Sequence, residues 1–140
     1  MARRLSHESS LVIVGRSKIH GRGVFARCRI PCGAYILEYT GEKMTRREGQ
    51  RRHTLQERKG AFYVFELNKR WHIDGAKGGD ARLINHGCDP NCTYQIQDGR
   101  IWIRALRNIR KGEELTYNYD VTEQGKYACK CGAKTCKGVM

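Results

Sequence analysis

The sequence predicts a mostly β domain that is built from several short strands and carries one exposed helix. Three observations support this prediction. The apolar runs are short and are separated by turns that contain glycine; strands do not alternate with long amphipathic helices, as a parallel α/β sheet would require; and the one long helical stretch is too polar to be buried. The 140 residues are enough for one domain with a modest core.

The strand-like segments are apolar runs of three to seven residues, bounded by turn-forming residues such as Gly15 and Pro31-Cys32-Gly33. We expect them at 11–14, 24–26, 34–39, 61–67 and 71–73. A hairpin follows, with strands at 93–97 and 100–106. The two strands are joined by Asp98-Gly99, a dipeptide that readily supplies the positive φ of a tight turn.

Residues 43–59 have a helical composition. Thr45 and Glu48 have the spacing of a capping box, and Gly49 is the only glycine or proline before Gly60. The stretch is highly basic, and only Met44 and Leu55 are clearly apolar. We therefore predict an exposed helix, which is either a solvated face or the border of a substrate groove.

The charge balance is strongly basic, with 27 Lys and Arg against 14 Asp and Glu and a net charge of +13. Such a surface attracts polyanions and acidic partners. It favours a partner associated with nucleic acid, such as chromatin, although many small basic proteins are simply soluble. No apolar run approaches the roughly 18 residues of a membrane span, and no apolar segment follows the basic start, so neither a membrane partner nor a secretory signal is expected.

Seven cysteines are an odd, high number for this length, which indicates metal binding or free thiols more than a disulfide framework. Cys129, Cys131 and Cys136 lie close enough to ligate one zinc ion, and a structural zinc site needs a fourth ligand. We expect that ligand to be Cys88, because residues 85–91 form a turn-rich segment. The candidates are Cys28, Cys32, Cys88, Cys92 and His86, and scattered thiols or an incidental disulfide are the alternative.

Five segments in sequence order resemble the motifs of SET-domain protein-lysine methyltransferases with a post-SET zinc segment. The resemblance covers about residues 10 to 138 and is nearest to the trithorax and mixed-lineage-leukaemia type. It implies a stand-alone catalytic module. The segments are SKIHGRGVF at 17–25, EYTGE at 38–42, RLINHGCDPNC at 82–92, GEELTYNY at 112–119 and the cysteines at 129–136.

The resemblance also implies an architecture. The expected fold is that of the SET domain, a β-clip-like arrangement of several small sheets with a knot-like crossing near the C-terminus. The expected boundaries are an N-terminal tail at 1–10, the SET domain at 11–122 and the post-SET zinc-binding segment at 123–140. Three positions depart from the family pattern: Asp80 stands where Asn is usual, Leu83 where Phe is usual, and Gly87 where Ser is common.

The resemblance assigns roles to individual residues. Tyr119 is expected to supply the essential hydroxyl, and Tyr39 to line the lysine channel. Tyr117 occupies a position where relatives carry Tyr or Phe, and a hydroxyl there leaves little room for added methyl groups, which predicts mainly monomethylation. The residues expected to bind S-adenosylmethionine are His20, Gly21, Arg22, Gly23, Tyr63, Arg82, Asn85 and His86.

The predicted function is transfer of a methyl group to the side-chain amine of a protein lysine, in a histone tail or another basic protein. Because a basic tail would be repelled by a basic groove, we expect acidic residues such as Glu42, Glu66 or Asp120 near the entrance. The expected location is chromatin in a eukaryote, or the cytoplasm or a host cell for a bacterial protein. Two alternatives are an inactive SET-like scaffold and a basic zinc-stabilised module that binds nucleic acid.

Overall fold

The computed structural model describes residues 9–119. This part of the chain forms ten short strands, one α-helix and one 3₁₀ turn at Asp80–Leu83. The secondary structure confirms the predicted mostly β class. The elements are β1 Val12–Arg16, β2 Arg22–Ala26, β3 Tyr35–Tyr39, β4 Glu42–Thr45, α1 Arg46–Glu57, β5 Val64–Glu66, β6 Trp71–Asp74, β7 Asn85–His86, β8 Cys92–Gln97, β9 Arg100–Ala105 and β10 Thr116–Tyr117.

The strands form four small sheets. β1 and β2 make an antiparallel pair, and two three-stranded antiparallel sheets have the orders β3-β9-β8 and β4-β6-β5. β7 and β10 form a parallel pair although about 30 residues separate them in the chain. The arrangement confirms the expected small-sheet SET-type fold, while the knot-like crossing near the C-terminus stays a prediction.

The core lies between these sheets and consists mainly of aliphatic side chains. The strand β9 shows how a strand contributes to the core. Ile101, Ile103 and Ala105 are buried, whereas Arg100 is exposed and Trp102 is half-buried on the opposite face. This alternation follows from the two-residue period of a strand. The fully buried core residues outside β9 include the aliphatic side chains of Val24, Ile30, Ile84, Ile109 and Leu115.

The predicted hairpin is confirmed. β8 and β9 pair in continuous register from Cys92↔Ala105 to Gln97↔Arg100. The turn residues Asp98 and Gly99 have φ values of 53° and 75°, the left-handed conformation that a two-residue hairpin turn requires.

The predicted helix starts three residues too early. Lys43, Met44 and Thr45 belong to β4, which pairs with β6, because the hydrogen bonds of that ladder hold them extended. Thr45 still caps the helix, since its hydroxyl accepts a hydrogen bond from the Glu48 amide at 3.3 Å. The predicted strand at 61–67 is likewise shorter than expected and covers only Val64–Glu66.

The helix α1 is attached through polar contacts, and its only buried residue is Gly49. Arg52 donates to Glu42 at 3.0 Å and to the buried Asp74 at 3.2 Å, and Gln56 donates to Asp74 at 2.9 Å. Burial raises the pKa of Asp74, but hydrogen bonds from the Ala76 amide, Gln56 and Arg52 outweigh it, so that the pKa is lowered. The carboxylate thus stays ionised and holds the helix on β6. The exposed helix of the prediction is confirmed.

No helix within residues 9–119 is long and apolar enough to cross a membrane. The longest, α1, has 12 residues and exposes arginine side chains along its length. A bilayer span requires about 20 mostly apolar residues.

Candidate active site

The parallel pair of β7 and β10 joins two of the motifs that the sequence analysis singled out. Asn85 lies opposite Thr116, and His86 lies opposite Tyr117. The buried Asn91 fastens the pair: its Oδ1 accepts from the Thr116 amide at 2.9 Å, and its Nδ2 donates to the Glu114 carbonyl at 2.9 Å. Polar side chains far apart in the sequence are thereby placed side by side.

Asn85 connects this pair to the loop that precedes β2. Its buried amide group has four oxygen atoms within hydrogen-bond distance, and its two hydrogens are shared among them. The loop therefore takes its shape from a residue of a different motif. The acceptors of Asn85 Nδ2 are Ser17 Oγ at 3.1 Å, the His20 carbonyl at 3.1 Å, the Arg22 carbonyl at 3.2 Å and Glu114 Oε2 at 2.9 Å.

The two glycines of the loop are required for different reasons. Gly21 has a φ of 50°, in the left-handed region, and has open space around it. Gly23 has ordinary strand geometry, but a Cβ there would overlap the carboxylate of Glu114. That carboxylate accepts hydrogen bonds from the Ser17 hydroxyl at 2.9 and 2.8 Å. Gly23 thus makes room for the Ser17–Glu114–Asn85 network.

The predicted catalytic residue Tyr119 is held at three points. Its amide donates to His86 Nδ1 at 3.1 Å, its hydroxyl donates to the Ile84 carbonyl at 2.6 Å, and its ring centroid lies 5.1 Å from that of Tyr117. Burial raises the pKa of both Tyr119 and Tyr117 above the ordinary value. Both side chains are therefore neutral phenols at physiological pH.

Tyr39 lies behind these residues. It is almost completely buried, its ring packs edge-on against Phe65 at 4.5 Å, and its hydroxyl donates to the Tyr63 carbonyl at 2.7 Å. Burial also raises the pKa of Tyr39 well above its ordinary value. Of the other expected donor-binding residues, Tyr63 and Arg82 are half-buried, and Arg82 Nε donates to the Gly78 carbonyl at 3.3 Å.

A cavity of about 520 Å³ opens beside Tyr117 and Tyr119. Its size is within the range of small-ligand sites in proteins. One face of α1 forms part of its wall, which supports the groove-bordering role of the helix over a purely solvated face. The lining residues are Gln50, His53, Thr54, Phe62, Val64, Phe65, Glu66, His72, Tyr94, Tyr117 and Tyr119.

Of the acidic residues expected near the entrance, the structure places one in the cavity wall. Glu66 lines the cavity and is exposed. Glu42 is not among the lining residues and pairs with Arg52 instead. Asp120 lies outside the described residues.

Sequence reasoning gave no role to His53 and His72, both of which line the cavity. A clue was available for His53: with Gln50 and Thr54 it has the three- and four-residue spacing of one helix face. Nothing in the sequence distinguishes His72, whose ring nitrogens are buried and have no hydrogen-bond partner among residues 9–119. Burial lowers the pKa of His72, so its ring is neutral at physiological pH.

The departures from the family pattern have local explanations. A Cβ at Gly87 would come within 2.7 Å of Thr116 Cβ, so a serine there would require Thr116 to move. The half-buried Leu83 packs against the hydrophobic core. Asp80 begins the 3₁₀ turn, where a carboxylate is compatible with the helix dipole.

Of the predicted zinc ligands, only Cys88 is among the described residues; Cys129, Cys131 and Cys136 lie outside them. Cys88 is half-buried, and its Sγ lies 3.6 Å from His86 Nε2. Because His86 Nδ1 accepts from the Tyr119 amide, the neutral ring carries its hydrogen on Nε2, facing that sulfur. Within residues 9–119 no group of three potential ligands converges.

The other candidate thiols are less suited to a metal. Cys92 lies in the core, where burial raises its pKa to about 12 and keeps the thiol protonated. Cys28 and Cys32 are exposed, and Cys32 Sγ donates to the Leu106 carbonyl at 3.2 Å. Cys88 remains the best candidate for the fourth ligand.

Comparison with known proteins gives consistent matches. Residues 21–120 match the family model described as the SET domain. Over 98% of its length, the chain is 38% identical to proteins named histone-lysine N-methyltransferase, H3 lysine-4 specific, from Emericella nidulans and Saccharomyces cerevisiae. Over 89% it is 38% identical to the histone-lysine N-methyltransferase trithorax of Drosophila virilis. It spans only 12%, 14% and 3% of the length of these three relatives.

Replacing Gly23 with alanine should destabilise the fold, because the new methyl group displaces the Glu114 carboxylate from Ser17 and Asn85. We expect a loss of about 2 kcal/mol, the usual scale for disrupting hydrogen bonds to a charged group. Thermal or urea unfolding measures it. Gly15→Ala is the matched control, since Gly15 is the cross-strand partner of Gly23 and its new Cβ would make ordinary contact with Phe25. Equal losses of stability in the two variants would contradict the proposed requirement for glycine at position 23.

Proposed function

This chain belongs to the SET-domain family, and on that premise we propose that it transfers a methyl group from S-adenosylmethionine to a protein lysine. The observation that carries the proposal is the convergence of Asn85, His86, Tyr117 and Tyr119 through the parallel pairing of β7 and β10. These residues come from separate motifs. They bring two neutral phenols, Tyr117 and Tyr119, to the wall of the cavity.

The loop before β2 suits the donor. Gly21 has no heavy atom near its missing Cβ, so a ligand can approach the backbone there, and Asn85 holds the carbonyls of His20 and Arg22 in place. We propose that this loop binds the donor with Gly23, Tyr63, Arg82 and His86. When bound, S-adenosylmethionine supplies an electrophilic methyl group on a sulfonium centre.

The phenols provide the environment for the acceptor lysine. A lysine ammonium, with an ordinary pKa of about 10.4, has no lone pair and must lose a proton before it can attack. The same burial that raises the pKa of Tyr117 and Tyr119 would lower the pKa of an amine placed beside them, because desolvation opposes every charged form. The Tyr119 hydroxyl donates a hydrogen bond to the Ile84 carbonyl, so its oxygen is available to accept a hydrogen bond from the amine. No strong base is needed.

The crowding around Tyr117 supports mainly monomethylation. Its ring centroid lies 5.1 Å from Tyr119, 5.9 Å from Phe65 and 6.2 Å from Tyr94. A hydroxyl in this space can hold the amine and leaves little volume for additional methyl groups. Tyr39, which was expected to line the lysine channel, is not among the residues that line the cavity. It packs against Phe65, and we propose that it keeps this wall in place.

We propose a structural zinc ion held by Cys88, Cys129, Cys131 and Cys136. In support, Cys88 is half-buried, and His86 presents an N–H to its sulfur, the kind of hydrogen bond that orients metal ligands. Such a site would attach the C-terminal segment close to Tyr119, because His86 contacts both Cys88 and Tyr119. His86 then acts as an orienting residue and not as a zinc ligand.

We propose a histone tail as the substrate, with another basic protein as the alternative, and chromatin as the place of action. The names of the relatives support this choice, and Glu66 offers a carboxylate in the cavity wall to a basic tail. The net charge of +13 also favours nucleic acid beside the substrate. Both partners occur together in a nucleosome.

Tyr119→Phe should lower kcat by about 100-fold, the usual scale for removing one positioned hydroxyl or donor from an active site. The measurement uses labelled donor with histones and nucleosomes, and mass spectrometry counts the methyl groups. Donor binding, measured by calorimetry, should be nearly unchanged in this variant. Asn85→Ala is the counterpart: it should weaken donor binding at least about tenfold, equivalent to about 1.4 kcal/mol. Wild-type rates in Tyr119→Phe would remove this residue from the mechanism.

Tyr117→Phe should shift the product from monomethyl-lysine towards dimethyl- and trimethyl-lysine, because removal of the hydroxyl enlarges the space around the amine. Mass spectrometry of a histone peptide over a time course measures the distribution. Tyr94→Phe is a matched control, since Tyr94 also lines the cavity and contacts Tyr117. Trimethylation by the unaltered protein would contradict the assignment.

Metal analysis should find about one zinc ion per chain, and Cys131→Ser should lose it because three thiolates do not close a tetrahedral site. Cys28→Ser is the control, since Cys28 is exposed and no ligand role is proposed for it. Retention of zinc by Cys131→Ser would overturn the ligand set.

A further inference from the structure

Five exposed cations surround the start of α1, and we name them the α1 basic patch. They come from β4, from the first turn of the helix and from the turn between β5 and β6. The helix start and this turn are joined by a hydrogen bond from the Arg46 amide to the Arg70 carbonyl at 2.9 Å. None of the five forms an ion pair with another residue of 9–119. The members are Lys43, Arg46, Arg47, Lys69 and Arg70.

The basic residues Arg46 and Arg47 lie at the end of α1 where the helix dipole disfavours positive charge. A helix dipole favours acidic side chains in the first turn and basic ones in the last. Here Arg46 and Arg47 occupy the first two helical positions, and the last turn contains no basic residue. The one acidic residue of the first turn, Glu48, is engaged by Arg51 at 2.6 Å and by Arg52 at 2.9 Å. The patch therefore keeps its positive charge uncompensated, which indicates a role outside folding.

The composition of the patch distinguishes between classes of partner. Protein interfaces depend on apolar or aromatic anchors at their centre. Among the described residues, the exposed large apolar side chains are Ile13, Tyr35, Leu55, Ile96 and Leu106, and none belongs to the patch. Trp71, the aromatic residue beside it, is covered by Lys43, whose Nζ lies 4.9 Å from the ring centroid. Three guanidinium groups without an apolar centre are suited to phosphate oxygens.

We propose that the α1 basic patch binds the phosphate backbone of double-stranded nucleic acid. The patch lies close to the candidate active site, because Gln50, one helical turn after Arg46, lines the cavity beside Tyr117 and Tyr119. Nucleic acid on the patch lies next to the opening that receives the substrate. The inference does not depend on methyl transfer and requires no donor.

The test measures binding of the 140-residue chain to a labelled DNA duplex of arbitrary sequence between 50 and 200 mM salt, without donor. The variant combines Arg46→Gln, Arg47→Gln and Arg70→Gln. Each lost phosphate contact lowers the slope of log affinity against log salt by about 0.9, so three lost contacts should lower it by about 2.7. Thermal unfolding of the variant should not shift downward, because two of the removed charges oppose the helix dipole.

The matched control removes the same charge elsewhere, with Arg27→Gln, Arg29→Gln and Arg110→Gln at exposed positions near the Ile30–Ile109 bridge. If the slope of log affinity against log salt changes by less than about 1 in this control, the result supports a localised site. Equal changes in the two triple variants would overturn the proposal, since the binding would then reflect diffuse charge. Displacement of the duplex by equimolar polyglutamate would also overturn it, by identifying an acidic protein as the partner. A chain that binds DNA but fails to methylate leaves the proposal intact and refutes the proposed function.

Discussion

The parallel pairing of β7 with β10 is the constraint on which the rest of the candidate site depends. Each strand has only two residues, too few to be stable alone, and the pair persists because polar side chains of the adjoining segments are bonded across it. Asn91 bonds to both Glu114 and Thr116, and the carboxylate of Glu114 is shared by Ser17 and Asn85. Asn85 and Asn91 are buried, so each hydrogen bond that they failed to make would be costly. Hydrogen bonding among three motifs therefore helps to fix the site.

Burial has a double role around the tyrosines. It packs Tyr39, Tyr117 and Tyr119 with Phe65 into one aromatic cluster that continues the hydrophobic core. It also removes water from the phenols and keeps them protonated. Structural stability and the chemistry proposed for the site thus have a common physical origin, because a site dry enough to pack rings is dry enough to disfavour an ammonium ion.

Another part of the cavity wall is built differently. It includes α1, which buries only Gly49 and is held to β6 by ion pairs and hydrogen bonds centred on Asp74. Gly49 is required because a side chain there would overlap the His72 ring. Arg46 and Arg47 do not hold the helix and are exposed at its start. The helix thereby borders the cavity and contributes two residues to the α1 basic patch.

Local chemistry explains what the sequence predicted correctly. Short apolar runs, the Asp98-Gly99 turn and the cap at Thr45 depend on residues within a few positions of one another, so most strands, the hairpin and the helix were predictable. The strands β4, β7 and β10 were not predicted, because they depend on pairing with distant segments. The boundaries that were wrong, at Lys43–Thr45 and Ala61–Tyr63, depended on pairing with β6, a segment that local pattern does not include.

The sequence by itself determined the mostly β class, the order of the motifs and the types of residue available for chemistry. Only the tertiary structure decided which of them meet. It placed Asn85 against the loop at 17–23, Tyr39 behind the cavity wall, and His53 and His72 in it. The physical reason is that these contacts join residues tens of positions apart. Their geometry follows from sheet register and from the sharing of buried hydrogen bonds, neither of which is encoded in any single segment.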